Sequence, residues 1–297
     1  MSTGNTIAAV IVTFNRAQKL AKVLDAVLAQ TRLPDRIFVI DNASTDNTAE
    51  IVRQHGNDSV TYVPLAVNGG GAGGFNEGVR AAYQDGFDYL WLMDDDGYPA
   101  PSALEILHDS IREFTARYEW RPSFACSAVK WMDGSLCEMN TPSPVWDWPR
   151  FYTDDLPVFL VQSCSFVSVL IPSWAVRKHG LPVKDYFIWY DDAEYTQRIA
   201  TSYPGLFCPR SLTMHDTPDN KGVNYGLVTA ASLWKFRYGA RNEASFKHET
   251  QGLWGFVSFL RRAHVEMRTG SVPARLRLKI YKAAFSGLRF RPKREMV

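Results

Sequence analysis

The first hundred residues alternate between apolar runs of strand length and segments with helical periodicity, and that alternation leaves few folds open. Residues 7–13 form a largely apolar run, and residues 17–30 follow with Leu20, Val23, Leu24, Val27 and Leu28 at helical spacing. Residues 36–40 and 60–65 read as further strands around a short helix at 48–54. A third helix at 73–83 precedes a fourth strand at 89–93. Strands separated by helices imply a mostly parallel sheet with helices on both faces, an α/β fold. Ligands of such sheets collect beyond the carboxyl ends of the strands. Thr13, Asp41 and Asp94 each occupy such an end.

After Pro99 the pattern is mixed. Residues 102–118 read as a helix, 124–132 and 158–171 as strands, 192–201 as a short helix and 229–246 as a longer one. A Pro- and Trp-rich stretch at 141–150 separates the two strands. There is no internal repeat.

Four segments carry candidate chemistry. Asp94-Asp95-Asp96 closes the fourth strand; adjacent carboxylates repel, and a hard divalent cation shared with substrate phosphates would compensate them. A solvated acidic turn before Gly97 and Pro99 would give the same residues. Asn68 to Gly74 is glycine-rich and opens a helix, where backbone amides can approach a phosphate. Gly69, Gly71 and Gly74 also satisfy G-x-G-x-x-G with Asp94 twenty residues on, as in a dinucleotide site, although the motif follows the third strand and not the first. Asp41 sits too early to cap the helix that Ser44 or Thr45 would cap, which frees its carboxylate for a base or ribose. Trp189-Tyr190-Asp191-Asp192 places two acids behind two aromatics, as a general base beside a sugar-stacking wall would be, while Asp191 with Glu194 also fits a capping box. His215 is one of only six histidines.

Composition bounds the setting. At 46% hydrophobic residues the chain is no disordered protein. Cys126, Cys137, Cys164 and Cys208 lack zinc-ligand or paired spacing, so reduced thiols in a cytoplasmic setting are expected, as is the absence of a secretory leader. No apolar stretch reaches the roughly 18 residues of a spanning helix. The net charge of +2 conceals a basic tail: from Arg261 onward there are 11 Lys/Arg against Glu266 and Glu295. Leu253, Trp254, Phe256, Val257, Phe259 and Leu260 precede it, and Arg275, Arg277, Lys279 and Lys282 alternate with apolar residues. Such a segment suits the interfacial plane of an anionic membrane, or a helix docked on the acidic remainder of the chain.

In order, the segments Val12-Thr13-Phe14-Asn15-Arg16, residues 39–46, the glycine run 68–78, Asp94 to Asp96 and Tyr190-Asp191-Asp192 resemble the family-2 glycosyltransferases of GT-A fold across residues 6–245. Within that family the glycine segment and triple Asp look most like galactofuranosyltransferases, with rhamnosyltransferases next. The resemblance implies an inverting transfer from a nucleotide-sugar donor, a UDP-sugar, to a glycan or polyprenyl-linked glycan, with Mn2+ or Mg2+. Thr13, Phe14, Arg16 and Asp41 would line the base and ribose pocket, and Asn68, Gly73, Gly74 and Asp95 would join the donor site. Asp94, Asp96 and His215 would hold the metal; Trp189 and Tyr190 would face the acceptor. Asp192 would be the base with Asp191 its neighbour, though many relatives carry Glu-Asp there, so the choice between the acids stays open. Residues 1–98 would form the nucleotide-sugar half, 99–228 the acceptor and catalytic half, and 229–297 C-terminal helices with a basic amphipathic tail. The expected site of action is the inner face of the plasma membrane, held peripherally, with no nucleic-acid partner. A nicotinamide-dependent oxidoreductase and a non-catalytic carbohydrate-binding or scaffold protein are the rival classes.

Overall fold

A computed structural model describes residues 5–55 and 58–297. Residues 1–4, where the expectation of no leader begins, lie outside them. The chain runs β1 (Ile7–Thr13), α1 (Ala17–Leu28), β2 (Arg36–Asp41), α2 (Thr48–His55), β3 (Val60–Pro64), α3 (Gly70–Gln84) and β4 (Tyr89–Asp94), the succession that the apolar pattern requires. Parallel β2 and β4 flank β1, and β3 extends β2. Every residue of β1 is buried, since helices cover both faces of the sheet.

The remaining elements are β5 (Gly97–Pro99), α4 (Ala103–Tyr118), β6 (Ala125–Trp131), β7 (Ser143–Pro144), β8 (Phe159–Ser163), β9 (Val169–Pro172), α5 (Ser173–His179), α6 (Asp191–Ala200), β10 (Gly205–His215), α7 (Leu233–Thr269) and α8 (Ala274–Gly287). One mixed sheet runs β3-β2-β1-β4-β9-β6-β10-β8-β7, with β5 paired to β10. Three expectations change. The run at 158–171 is two strands, β8 and β9, which point the same way in the sheet: the chain crosses over at 164–168 past the buried Phe166 and Val167, so one apolar run conceals the break. β10 was not anticipated: Pro209 argues against a strand, and it sits in the irregularity between Cys208 and Leu212 where the register with β6 shifts. The helix expected at 229–246 starts at Leu233 and runs to Thr269, bent where Gly252 adopts φ 66°.

Two glycines one turn apart bring α3 flush against the sheet. A Cβ on Gly78 would lie 2.3 Å from Val10 Cγ1, and one on Gly74 would lie 2.4 Å from Val12 Cγ1. Nothing within 4 Å would meet a Cβ on Gly71 or Gly73. The same short segment therefore contains packing glycines and glycines that face open space.

The C-terminal region builds its own core, in which Phe236, Phe256, Phe259, Met267, Leu276 and Ile280 pack together. Beyond α8 the chain returns to the sheet domain. Glu295 pairs with Arg80 at 2.6 Å and Lys184 at 2.8 Å, and its carbonyl accepts from the Leu181 amide. Arg294 pairs with Glu249 and, at 3.2 Å, with Glu194. The basic cluster at 289–294 is thus partly docked on the chain's own acids, whereas Arg275, Lys279 and Lys282 on α8 are exposed. No helix among the described residues is long and apolar enough to cross a membrane.

Gly78→Ala should destabilise the fold by about 1–3 kcal/mol, the usual cost of overpacking, whereas Gly71→Ala should leave the thermal midpoint unchanged or slightly raised. Thermal denaturation of the two variants checks both; equal midpoints would show that the flush packing of α3 is dispensable.

Candidate active site

The register aligns three strand ends: Thr13 lies beside Asp41, and Val12 beside Asp94. The three acids that follow have separate surroundings. Asp95 is buried and accepts from Thr13 Oγ1 at 2.9 Å, the Phe14 amide at 3.3 Å and Arg16 at 3.0 Å, which ties the loop after β1 to the end of β4. Asp96 meets Arg16 at 2.7 Å and His215 Nε2 at 3.2 Å. Burial alone would raise Asp96, but the His215 hydrogen bond and the charges of His215, Arg16 and Lys19 hold it below its ordinary value. Asp94 accepts no hydrogen bond among the described residues; burial and repulsion from Asp96, Asp95 and Asp191 push it well above the usual carboxylate range.

The donor set suits a hard divalent cation. His215 Nδ1 lies 2.8 Å from Asn140 Oδ1, whose amide nitrogen donates to Ser165, so Nδ1 carries the proton. Nε2 faces the Asp96 carboxylate at 3.2 Å, so that a cation beside them could take both as ligands. Among the described residues no three His, Cys, Asp or Glu groups form a ready cage. Ions of this class commonly complete their shell with substrate phosphate and water.

The second loop is laced to the first. Ser44 Oγ accepts from the Asn15 amide, and Asn15 Oδ1 accepts from the Thr45 amide at 2.7 Å. Ser44 and Thr45 therefore do not cap α2; Asp46 does that work, taking the Thr48 amide and hydroxyl. Asp41 is buried and does not cap α2; it accepts from Tyr62 Oη at 2.6 Å and the Ser44 amide at 2.9 Å, which fix its carboxylate in place. Phe14, 41% exposed, remains available to a flat ligand. Asn68 Oδ1 turns the chain into α3 by accepting the Gly70 amide at 2.7 Å. Gly73 leaves its backbone open, whereas the missing side chain of Gly74 makes room for Val12 and Asn42.

The second acid pair begins α6. Tyr190, at φ 72°, is the residue before the helix, and Glu194 pairs with Arg198 at 2.8 Å, so the capping box does not form. Asp191 is 7% exposed and Asp192 more open. Burial and the neighbouring Asp192 raise Asp191 to about 8. Burial raises Asp192 to about 6, opposed by the Ala193 amide. The loop ahead holds Phe187, Trp189 and Tyr190 at positive φ, each at a cost of about 1–2 kcal/mol.

Trp189 and Tyr190 are not a free wall. The Trp189 ring packs on Phe236 and Gly239, and Tyr190 packs on Phe246 with its hydroxyl toward Glu243. A different aromatic cluster overhangs the glycine loop. Phe187 stacks on Tyr238 at 4.8 Å and meets Trp234, which is 53% exposed, while the Phe187 carbonyl accepts from the Ala72 amide. No local signal in the sequence joins residue 187 to a helix face fifty positions later. A separate cavity of about 890 Å³, lined by Tyr89, Arg121, Trp174 and Arg177, opens at the opposite end of β4.

Residues 8–129 match the profile of "Glycosyl transferase family 2". Galactofuranosyltransferase GlfT1 of Mycolicibacterium smegmatis is 41% identical over 104 residues, which cover 35% of this chain and 34% of that protein, so the match spans about a third of that relative. S. aureus TarS 1-349 in complex with UDP-GlcNAc matches the fold with a TM-score of 0.59 at 14% identity, over 96% of this chain and 81% of TarS. GalNAc-T7 with UDP, GalNAc and Mn2+ gives 0.57 at 16% identity, over 83% and 52%. In sequence over residues 8–129, and in a GT-A fold over nearly its whole length, this protein resembles the family-2 glycosyltransferases.

Proposed function

We propose that this protein is an inverting, metal-dependent glycosyltransferase that moves galactofuranose from UDP-galactofuranose to a glycan or lipid-linked glycan. One observation carries this: Asp191, at the start of α6, stands within electrostatic reach of Asp94, at the end of β4. The loop ahead of α6 meets the start of α3, where the Phe187 carbonyl accepts from the Ala72 amide. The galactofuranosyl donor is supported by the name of the 41% identical relative.

Thr13, Phe14, Arg16 and Asp41 form the base and ribose side of the site, with Asn68 and Gly73 admitting the donor close to backbone and Gly74 seating α3 beneath it. Asp95 holds that loop to the triplet. Asp94, Asp96 and His215 would hold a divalent ion, Mn2+ or Mg2+, whose charge would offset that of the diphosphate. The two acids of α6 divide their work because their surroundings push them apart. At neutral pH Asp191, near 8, keeps its proton, while Asp192, near 6 and the more open of the two, is ionised and takes the proton of the acceptor hydroxyl. A base opposite the leaving diphosphate gives one displacement and inversion, with no covalent intermediate. The exposed faces of Trp234 and Phe187 offer the acceptor a stacking surface, with Trp189 and Tyr190 supporting it from behind. The protein sits peripherally on the inner face of the plasma membrane: Leu253, Trp254 and Leu278 are 65%, 84% and 68% exposed beside the uncovered cations of α8.

Three outcomes test these assignments. Asp192→Asn should lower turnover by roughly 10²–10⁴ with UDP affinity unchanged. Activity should rise with pH through a limb near 6, since the base must lose its proton; a limb near 8, abolished by Asp191→Asn, would transfer the role to Asp191. Chelation should abolish transfer and Mn2+ restore it, and calorimetry should show weaker Mn2+ binding in His215→Ala; full activity after exhaustive chelation would remove the metal from the mechanism. On anionic vesicles, Trp254→Glu and Lys279→Glu/Lys282→Glu should each reduce cosedimentation, with the latter loss matched in wild type by high salt. Undiminished pelleting of both would exclude this face as the membrane contact.

A further inference from the structure

The acids of α6 can act on a substrate only if the backbone that aims them stays in place, and that backbone is under strain. Phe187, at φ 67° and ψ −57°, is the centre of a tight turn closed by the Ile188 amide on the Tyr186 carbonyl at 2.8 Å, a γ-turn of the rarer positive-φ kind. Trp189 and Tyr190 then follow in the left-handed region at φ 65° and 72°. Three aromatic residues in four positions thus adopt backbone that side chains disfavour. Such strain persists only where the surroundings over-determine it.

The surroundings here are one helical segment of α7. Asn242 is fully buried, and its amide nitrogen lies 2.9 Å from the Tyr186 carbonyl, 2.9 Å from that of Ile188 and 3.0 Å from that of Trp189. The bent loop converges three carbonyl oxygens on one point, where they would repel each other if left alone. The two N–H groups of an amide satisfy them, one being shared. Arg241 fixes the other end of that amide by donating to Asn242 Oδ1 at 2.9 Å, and also donates to the Asp185 carbonyl at 2.7 Å. One turn earlier, Gly239 leaves the space that the Trp189 ring fills: a Cβ there would be 2.5 Å from Trp189 Cε3. The Tyr190 carbonyl in turn accepts the Glu194 amide and so sets the first turn of α6, on which Asp191 and Asp192 lie.

We propose that Asn242 is a positioning residue that pins the strained turn at 186–190 by its three-carbonyl contact and thereby aims the acid pair, with Gly239 as its steric counterpart. This rests on the assignment of the base to that pair. Asn242 itself lies in a helix, more than fifty residues from the loop, and outside the segment that matches the family profile.

The test uses the full chain with Asn242→Ala and Gly239→Ala. The second variant improves helix propensity, so its defect cannot come from a weakened α7. Turnover should fall by roughly 10- to 100-fold in each, the loss expected when a reacting group is displaced by about 1 Å, while UDP affinity by calorimetry stays within about twofold. Hydrogen–deuterium exchange should rise over residues 186–194 and not over 7–41. Wild-type exchange in that loop, or raised exchange with wild-type turnover, would overturn the proposal, as would a proportional loss of turnover and UDP affinity. Asp191→Asn and Asp192→Asn are the separate control: normal turnover in both removes the base assignment, whereas their inactivity beside a wild-type Asn242→Ala removes this one.

Discussion

Three adjacent carboxylates at the end of a buried strand repel one another, and the way that repulsion is distributed shapes everything around it. Asp95 is neutralised structurally, by the Thr13 hydroxyl, the Phe14 amide and Arg16. Asp96 is held by Arg16 and His215. Asp94 feels Arg16 as well, but burial and the like charges of Asp96, Asp95 and Asp191 outweigh it. The middle acid therefore serves the fold, and the repulsion that remains falls on Asp94. Burial and like charge together favour the protonated form of Asp94.

Around this centre the structure is a set of loops tied to one another and not to the sheet alone. Asn15 joins the loops after β1 and β2, Asn68 turns the chain into α3, and Asn242 pins the turn before α6. In each case a short amide side chain serves backbone groups that no strand or helix satisfies, which polar side chains of this length do well. Loops are the mobile part of an α/β fold; here cross-loop hydrogen bonds give them the definition that a reacting geometry requires.

Legibility in the sequence followed the range of the interactions. The first four strands and their helices were readable because period and burial coincide: β1 and β4 are apolar on both faces, and α1 buries Leu20, Val23, Leu24 and Val27 on one. The acid triplet, the glycine segment and the acid pair were readable because each is contiguous. What failed was non-local. β10 hides behind Pro209, which only its bulge makes tolerable, and the crossover between β8 and β9 passes through buried residues such as Phe166 and Val167 that prolong the apolar run. The residues that fix Trp189 and Tyr190, namely Phe236, Gly239, Asn242 and Glu243, belong to a helix whose register against the loop no local pattern records. Gly73 and Gly74 are adjacent in sequence and opposite in use, a difference set by which way the absent side chain would point.

The return of residues 293–295 to the sheet domain bears on how the protein matures. Glu295 joins Arg80 across 215 positions, and the Lys293 amide donates to Asp185, one residue before the strained turn. Contacts of such separation close late, after the local ones have formed. During synthesis the sheet from β1 to β4 can assemble as soon as it emerges, but the segment ahead of α6 lacks its outer fastening until the ribosome has passed residue 295. A nascent chain paused short of that point would hold a formed sheet from β1 to β4 and an unsecured acid pair.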